Sequence, residues 1–296
     1  MFKYKSLLAA ATLVALIMVG CNENTTTPNT TPPNPISGLM ATSINESTVR
    51  LKWTAPTGSY SSYIIRYNST ASDSMKVTAP SGTEMLDISS LTSGTVYTFT
   101  VTSLNSDNLE STTKSMKWAG AMRFATYKSG LPIRLYENSS SKGSGLQLYD
   151  DVTGEPKNLK VDAGDFWDIG IDNKGLTDSL YSGSPTQLTG INFTTSRKAT
   201  FIGKDYSGID SLNQVFESSD LVATTDDAIR YPNLSPKGFV FVVRTGDGNF
   251  AKVFIKPNAN GEILQGTPGD RYVEVEISYQ KIKAVPHAGS KNTVGN

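Results

Sequence analysis

Histidine and cysteine are nearly absent from this sequence, because each occurs once in 296 residues. The single histidine, His287, lies in a C-terminal stretch rich in glycine, serine and lysine. Catalytic sites that pair serine or cysteine with histidine therefore have no base outside that tail. Zinc-type sites built from histidine and cysteine are excluded for the same reason. A single cysteine also excludes an intrachain disulfide.

An excess of charge of either sign is also lacking. The 27 Lys and Arg residues balance 27 Asp and Glu residues, so the formal net charge is zero. A nucleic-acid-binding domain normally carries a strongly basic face. We therefore expect no nucleic-acid partner. A glycine-rich phosphate loop is missing too, because Gly143-Ser144-Gly145 lacks a third glycine and a following helix.

Long apolar runs are absent after the first twenty residues. The run Leu7 to Val19 is uncharged and follows Lys3 and Lys5. A membrane-spanning helix needs about 20 apolar residues, so this run is too short to span. A basic start followed by a short apolar run is typical of a signal peptide. We predict a signal peptide over residues 1–20 and no transmembrane helix.

The apolar run ends in Leu16-Ile17-Met18-Val19-Gly20-Cys21, which resembles a bacterial lipobox. The resemblance implies that Cys21 is acylated and becomes the mature N-terminus, which makes the membrane a partner bound through Cys21. It also implies a lipid-anchored location in the cell envelope, at the outer membrane or cell surface. Met18 departs from the pattern, since leucine is commoner there. The alternative is an ordinary signal peptide with a cysteine near its cleavage site.

Residues 21–35 are predicted to be a tether. They are rich in threonine, proline and asparagine and offer nothing to bury. Proline favours an extended, semi-rigid chain, which reaches roughly 45 Å over this length. An O-glycosylated stalk is the alternative interpretation.

Residues 36–117 show short runs in which every second residue is apolar. This period predicts half-buried strands of a β-sandwich. The runs are centred on Leu51, Ile65 and Phe99, and turn residues separate them.

The segments Pro35–Leu39, Trp53–Pro56, Tyr63–Tyr67 and Leu91–Tyr97 resemble a fibronectin type III domain, which has an immunoglobulin-like fold. The last segment matches the family's leucine-to-tyrosine corner, in which the tyrosine hydroxyl bonds backbone a few residues upstream. Such domains usually act as spacers or docking surfaces. The sequence contains no Arg-Gly-Asp tripeptide, so no integrin-type adhesion is implied.

Residues 118–286 are predicted to form a second β-rich domain with one short helix, followed by a disordered tail over 287–296. The helix is expected near Ile209 to Phe216, with Asp210 or Ser211 as its cap. The clearest prediction is a hairpin over Gly238 to Lys256. The other predicted strands are Ile133–Tyr136, Leu146–Tyr149, Trp167–Ile171, Ala199–Ile202 and Val273–Tyr279, the last with one face exposed to solvent.

The segments Asp165–Gly170, Arg244–Lys252 and Tyr272–Lys281 resemble the HmuY-like β-domain of bacterial surface lipoproteins. Characterised members of that family bind haem, whose iron is held by His, Met, Cys or Tyr side chains. No His, Met or Cys occurs between Arg123 and Pro286. The candidate iron ligands that remain include Tyr127, Tyr206 and Tyr231, and the sequence does not choose among them. The resemblance therefore implies a fold and a cell-surface setting, and we predict no cofactor.

The sequence offers no acidic pair with the spacing of a glycosidase site. Asp168 and Asp172 share a face of a predicted strand but lie about 13 Å apart along it. Carboxyl pairs in glycosidases are roughly 5–9.5 Å apart. Asp165 would point away from Asp168. Asp247 is interpreted as a turn residue, since the acidic spacing of a calcium loop is missing, and Trp167 as a core residue rather than a stacking surface.

We therefore predict a mainly β, non-enzymatic, lipid-anchored envelope protein that binds or scaffolds outside the cytoplasm. No catalytic residue and no metal site is predicted. Its expected partner is an extracellular protein, a polysaccharide or a small ligand. Two alternatives stay open: an HmuY-like lipoprotein that binds haem or another small ligand, and a secreted carbohydrate-active enzyme with an accessory sandwich domain.

Overall fold

A computed structural model of the chain describes residues 31–160, 167–172, 179–182, 201–216, 228–230 and 237–283. Over these residues the chain is built from strands, with one short 3₁₀ helix. The strands form four antiparallel sheets, two in a first module and two in a second module. The predicted mainly β fold is confirmed.

The first module contains strands β1 to β7. They are β1 (Ser37–Asn45), β2 (Thr48–Thr54), β3 (Ser62–Asn68), β4 (Met75–Pro80), β5 (Met85–Ile88), β6 (Tyr97–Leu104) and β7 (Lys114–Trp118). One sheet has the order β1-β2-β5 and the other β4-β3-β6-β7. Leu51, Trp53, Ile65 and Phe99 are buried in one core between the sheets. The period-two runs of the sequence are thus the inward faces of these strands.

The first module extends one residue further than predicted. Trp118 is the last residue of β7, pairs with Tyr97 of β6, and is fully buried in the first core. Its indole Nε1 donates a hydrogen bond to Ser43 Oγ at 3.0 Å. Trp118 therefore belongs to the first module, although the sequence interpretation assigned it to the second.

The second module contains the remaining strands. They are β8 (Met122–Phe124), β9 (Ile133–Tyr136), β10 (Gly145–Asp150), β11 (Glu155–Leu159), β12 (Ile169–Asp172), β13 (Ser179–Ser182), β14 (Phe201–Ser207), β15 (Ala228–Arg230), β16 (Phe239–Arg244), β17 (Phe250–Lys256) and β18 (Tyr272–Gln280). A five-stranded sheet has the order β11-β10-β12-β13-β15. A six-stranded sheet has the order β14-β16-β17-β18-β8, and β9 also pairs with β18.

The predicted hairpin is confirmed as β16 and β17. Phe239 to Val243 are all buried, so this strand is covered on both faces. Phe241 and Val243 face the core shared with the five-stranded sheet. Val240 on the opposite face packs against Leu212 of the 3₁₀ helix.

The predicted short helix is a single 3₁₀ turn, Leu212–Gln214. Ser211 is its N-cap, and its side chain accepts a hydrogen bond from Asn213 N at 3.2 Å. Leu212 and Val215 pack together onto the six-stranded sheet. A spacing of three residues brings side chains onto one side of a 3₁₀ turn, so a longer α-helix is not needed to bury them.

No helix in the described part of the chain has both the length and the apolar character needed to cross a bilayer.

Candidate functional site

Of the strand acids Asp165, Asp168 and Asp172, only Asp168 has a side chain that the structure describes. Asp168 is 1% exposed, and its carboxylate accepts a hydrogen bond from Leu148 N at 2.8 Å. The sequence predicted that Asp168 shares a strand face with Asp172, whereas the structure begins β12 after Asp168, whose carboxylate binds the backbone of β10. Asp165 and the side chain of Asp172 lie outside the described residues. Asp168 thus has a structural contact in place of a free carboxylate.

Trp167 is a core residue, as predicted. Its side chain is 2% exposed and lies against Gly145 of β10. A Cβ atom added at Gly145 would be 2.8 Å from Cγ of Trp167, so only glycine fits beneath this indole. The ring is therefore not available for stacking on a ligand.

The candidate iron ligands are only partly described. The Tyr127 hydroxyl donates a hydrogen bond to Asn158 Oδ1 at 2.6 Å, and burial raises the pKa of Tyr127. A raised pKa disfavours the tyrosinate form that binds iron. The side chain of Tyr206, and all of Tyr231 and His287, lie outside the described residues. Within the described ranges, no group of three or more His, Cys, Asp or Glu side chains is placed to hold a metal.

The outer face of the six-stranded sheet carries a polar and aromatic patch. Tyr136 of β9 pairs across the strands with Tyr272 of β18, and their rings are 5.5 Å apart. The Arg134 guanidinium lies 4.2 Å from the centre of the Tyr272 ring. Such cation–π contacts are favourable and hold both groups in place. We call this the tyrosine–arginine face, comprising Arg134, Tyr136, Lys256, Tyr272, Glu274 and Glu276.

The charges of the tyrosine–arginine face are paired across strands. Lys256 Nζ lies 3.4 Å from Glu274 Oε1 and 3.2 Å from Glu276 Oε1. Arg134 Nε lies 3.5 Å from Glu274 Oε2. Opposite charges on neighbouring strands stabilise an exposed sheet face. Both glutamates are therefore engaged in ion pairs with cationic side chains of neighbouring strands.

The other end of the same sheet is covered by the first module. The prediction that β18 has one solvent-exposed face fails there, because Ser278 is fully buried. Its register partners are Lys252 on β17 and Arg123 on β8. Both of these contact β1 of the first module, Lys252 through Thr42 and Arg123 through Ser43.

Lys252 is buried at this junction with 0% exposure. Its ammonium donates to Thr42 Oγ1 at 2.7 Å and to Val215 O at 3.0 Å. Arg123 donates to Ser43 O at 3.2 Å and to Asn213 Oδ1 at 3.0 Å. Burial lowers the pKa of Arg123, with the Glu276 carboxylate acting in the opposite direction.

The tyrosine–arginine face runs along β18 from Glu276, which is near the junction, to Tyr272, which is far from it. Gln280, at the end of β18, donates to the backbone oxygen of Gly120 between the modules at 3.0 Å. Tyr272 is at the opposite end of β18, which is about 27 Å away at roughly 3.4 Å per residue. The Tyr136–Tyr272 pair of this face is therefore at the end of β18 that is distant from the first module.

The N-terminal segment meets the first module at the end opposite the junction. Asn105 Nδ2 donates to Thr31 O at 3.1 Å, and Ser103 Oγ donates to Asn34 O at 2.7 Å. These residues lie at and beyond the C-terminal end of β6. Tyr97 at its start is near the junction, about 24 Å away along the strand.

The corner before β6 decides what the first module is. The Tyr97 hydroxyl accepts a hydrogen bond from Thr92 N at 3.0 Å, five residues upstream, as the sequence predicted. Residues 33–116 match the family model described as the fibronectin type III domain. The first module is a fibronectin type III domain. Trp53, Tyr63 and Tyr97 are all buried in its core, which confirms their predicted packing role.

Solved structures similar to the chain include other such domains. The fn3 domain of the human collagen alpha-1(XX) chain is 20% identical and covers 32% of this chain and 92% of its own, with a TM-score of 0.29. The FN5 domain of Drosophila Lar is 17% identical, and the match covers 30% of this chain and 97% of the Lar domain, with a TM-score of 0.27. A Fn3-like protein from Clostridium thermocellum is 18% identical, and the match covers 29% of this chain and 92% of the Clostridium protein, with a TM-score of 0.26.

Among curated proteins, none matches the chain.

Proposed function

We propose that this chain is a lipid-anchored protein of the cell envelope that binds or scaffolds outside the cytoplasm without catalysing a reaction. Acylated Cys21 holds it to the outer membrane or cell surface, after removal of residues 1–20. Residues 21–35 are the tether, the fibronectin type III domain is the spacer, and the second module carries the binding surface. An extracellular protein, a polysaccharide or a small ligand is the expected partner.

The observation that carries this proposal is the placement of the two ends. The segment that leads back to Cys21 meets the fibronectin type III domain beside Asn105. The second module docks at the opposite end of that domain, and the Tyr272 end of the tyrosine–arginine face lies about 27 Å along β18 from the junction. A surface that must meet partners away from a bilayer is best carried at the end distant from the anchor.

The residue types of the tyrosine–arginine face also favour binding. Tyrosine and arginine are enriched in the centres of protein interfaces, because both bury a large area and retain a polar group. Arg134→Ala should weaken retention of the purified mature chain on insoluble cell-wall polysaccharide. Arg50→Ala is the matched control, because Arg50 makes a comparable cross-strand ion pair with Asp87 in the first module. Equal retention of both variants would argue against this face.

The first test concerns the anchor. A Cys21→Ser variant should lose incorporation of labelled palmitate and move from the membrane to the soluble fraction. Labelling that persists in this variant would refute the lipoprotein assignment.

The second test concerns export across the inner membrane. Since Cys21 is the only cysteine, an introduced cysteine is the one free thiol after acylation. Ser72→Cys and Ser141→Cys place thiols at exposed positions in the first and second modules. A membrane-impermeant maleimide should label both on cells with an intact inner membrane. Labelling only after that membrane is broken would contradict export.

The second module is further proposed to have an HmuY-like fold, which makes haem binding the competing function. Of the named candidates Tyr127, Tyr206 and Tyr231, only Tyr127 has a described side chain, and its hydroxyl donates a hydrogen bond to Asn158. Titration of the purified mature chain with haemin checks this function. A shifted Soret band that saturates at one haem per chain would favour it, and an unchanged spectrum would remove it.

A carbohydrate-active enzyme is the other competing function. Its strongest described carboxylates are Glu274 and Glu276, which both contact Lys256. A glycosidase uses one carboxyl group as the general acid that protonates the leaving oxygen, whereas both of these carboxylates are engaged in ion pairs with Lys256. Release of reducing sugar from polysaccharide by the wild type, abolished in Glu274→Gln, would establish this function instead.

A further inference from the structure

The junction between the modules is built unlike a flexible linker. Only Ala119, Gly120 and Ala121 separate β7 from β8. Each of the three makes a hydrogen bond to a module. The carbonyl oxygen of Ala119 accepts from Ser43 Oγ at 2.9 Å, and the nitrogen of Ala121 donates to Asn45 O at 3.2 Å. The carbonyl oxygen of Gly120 accepts from the side chain of Gln280 at 3.0 Å. Because all three residues bond to one module or the other, the connection has no free segment about which to swivel.

Backbone packing at Gly120 leaves no space for a side chain. A Cβ atom added there would lie 2.1 Å from the carbonyl oxygen of Glu46, in the turn between β1 and β2. Gly120 does not have a positive φ angle, so its own backbone conformation does not require glycine. What requires glycine is the close approach of the first module.

The buried lysine makes the junction part of the second module's fold. An ammonium group removed from water needs hydrogen-bond acceptors, and a lost acceptor is costly. One acceptor of Lys252, the Val215 carbonyl, comes from its own module. Another, the Thr42 hydroxyl, comes from the fibronectin type III domain 210 residues away in sequence.

We propose that β1 of the fibronectin type III domain completes the fold of the second module, so that the two modules form one cooperative unit with a fixed mutual orientation. Without Thr42, a buried ammonium would lose one of its acceptors. The second module therefore reaches full stability only when docked, and the domain in front of it acts as a structural component of the module as well as a spacer.

The test is differential scanning calorimetry of the full mature chain, made without lipid through Cys21→Ser. The wild type should unfold in one transition whose van't Hoff and calorimetric enthalpies agree, which is the mark of a single cooperative unit. Thr42→Val keeps the shape of the buried side chain and removes the acceptor. Gly120→Ala forces the modules apart. Each variant should lower the midpoint temperature of unfolding by at least about 4 °C, or should split the single transition into two.

Thr78→Val is the matched control, because Thr78 is an exposed residue of β4. It should leave the single transition unchanged. Two separate transitions in the wild type would overturn the proposal, and so would a Thr42→Val variant that melts like Thr78→Val. If Gly120→Ala does not fold, Thr42→Val still decides the question.

Discussion

The hydroxyl of Tyr97 accepts a hydrogen bond from the backbone nitrogen of Thr92 at 3.0 Å, and the ring above it is 4% exposed. The bond ties the connection between β5 and β6 to the start of β6. It therefore joins the two sheets of the fibronectin type III domain at the end that faces the second module.

Tyr97→Phe should lower the free energy of unfolding by about 1 kcal/mol, because it removes one hydrogen bond and keeps the ring. Urea denaturation of the mature chain measures the change. Tyr60→Phe is the control, since the Tyr60 hydroxyl accepts a bond from Gly82 N at an exposed site where water replaces it. Equal losses in both variants would show that the corner contributes nothing special.

Gly145→Ala should destabilise the protein by about 2 kcal/mol, because the new methyl group would overlap the Trp167 indole. Denaturant unfolding measures the loss. The double variant with Trp167→Leu tests the cause. If contact with the indole is responsible, the two losses will not add, since residues in contact show interaction energies. Additive losses would place the cost elsewhere.

The Arg66–Glu110 pair should make stability depend on pH. Two hydrogen bonds at 2.5 and 2.9 Å join the guanidinium to the carboxylate and lower the pKa of Glu110. Because the pKa of Glu110 is lower in the folded state, the pair contributes fully to the free energy of unfolding above the unfolded-state pKa of about 4.3. That contribution is lost as the pH falls through the folded-state pKa.

Glu110→Gln should therefore cost about 0.5 kcal/mol at pH 7, a small amount because the Glu110 side chain is 40% exposed and solvent screens the pair. The difference from wild type should shrink as the pH falls below about 4.3. Urea denaturation at pH 7 and pH 3 measures both. A difference that grows toward acid pH would contradict this assignment.

Local sequence patterns predicted most strands because a half-buried strand exposes and buries successive residues in turn. Leu51 and Trp53 on β2 and Phe239 to Val243 on β16 needed no knowledge of the rest of the chain. The corner at Tyr97 was predictable for a similar reason, since the residues that form it lie within seven positions of each other.

Sequence patterns gave wrong predictions where one apolar spacing fits two kinds of helix, or where a residue distant in sequence packs against the position in question. The spacing of Ile209, Leu212 and Val215 suits both a helix and a 3₁₀ turn, and packing against Val240 and Phe254 selected the turn. The alternation around Asp168 does not reveal that Leu148 N lies beside it.

Residues close together in the chain were enough to predict most of the strands and the tyrosine corner of the fibronectin type III domain, because alternation and a contact over five residues are both local. Contacts between distant parts of the chain bury Lys252 and Ser278 and require glycine at position 120. Lys252 and Gly120 contact β1 or the turn after it, and Ser278 lies between Lys252 and Arg123, which both contact β1. In sequence these residues look like ordinary solvent-facing or connecting positions. Contacts between residues as far apart as Thr42 and Lys252 leave no periodic pattern for a reader of the sequence to find.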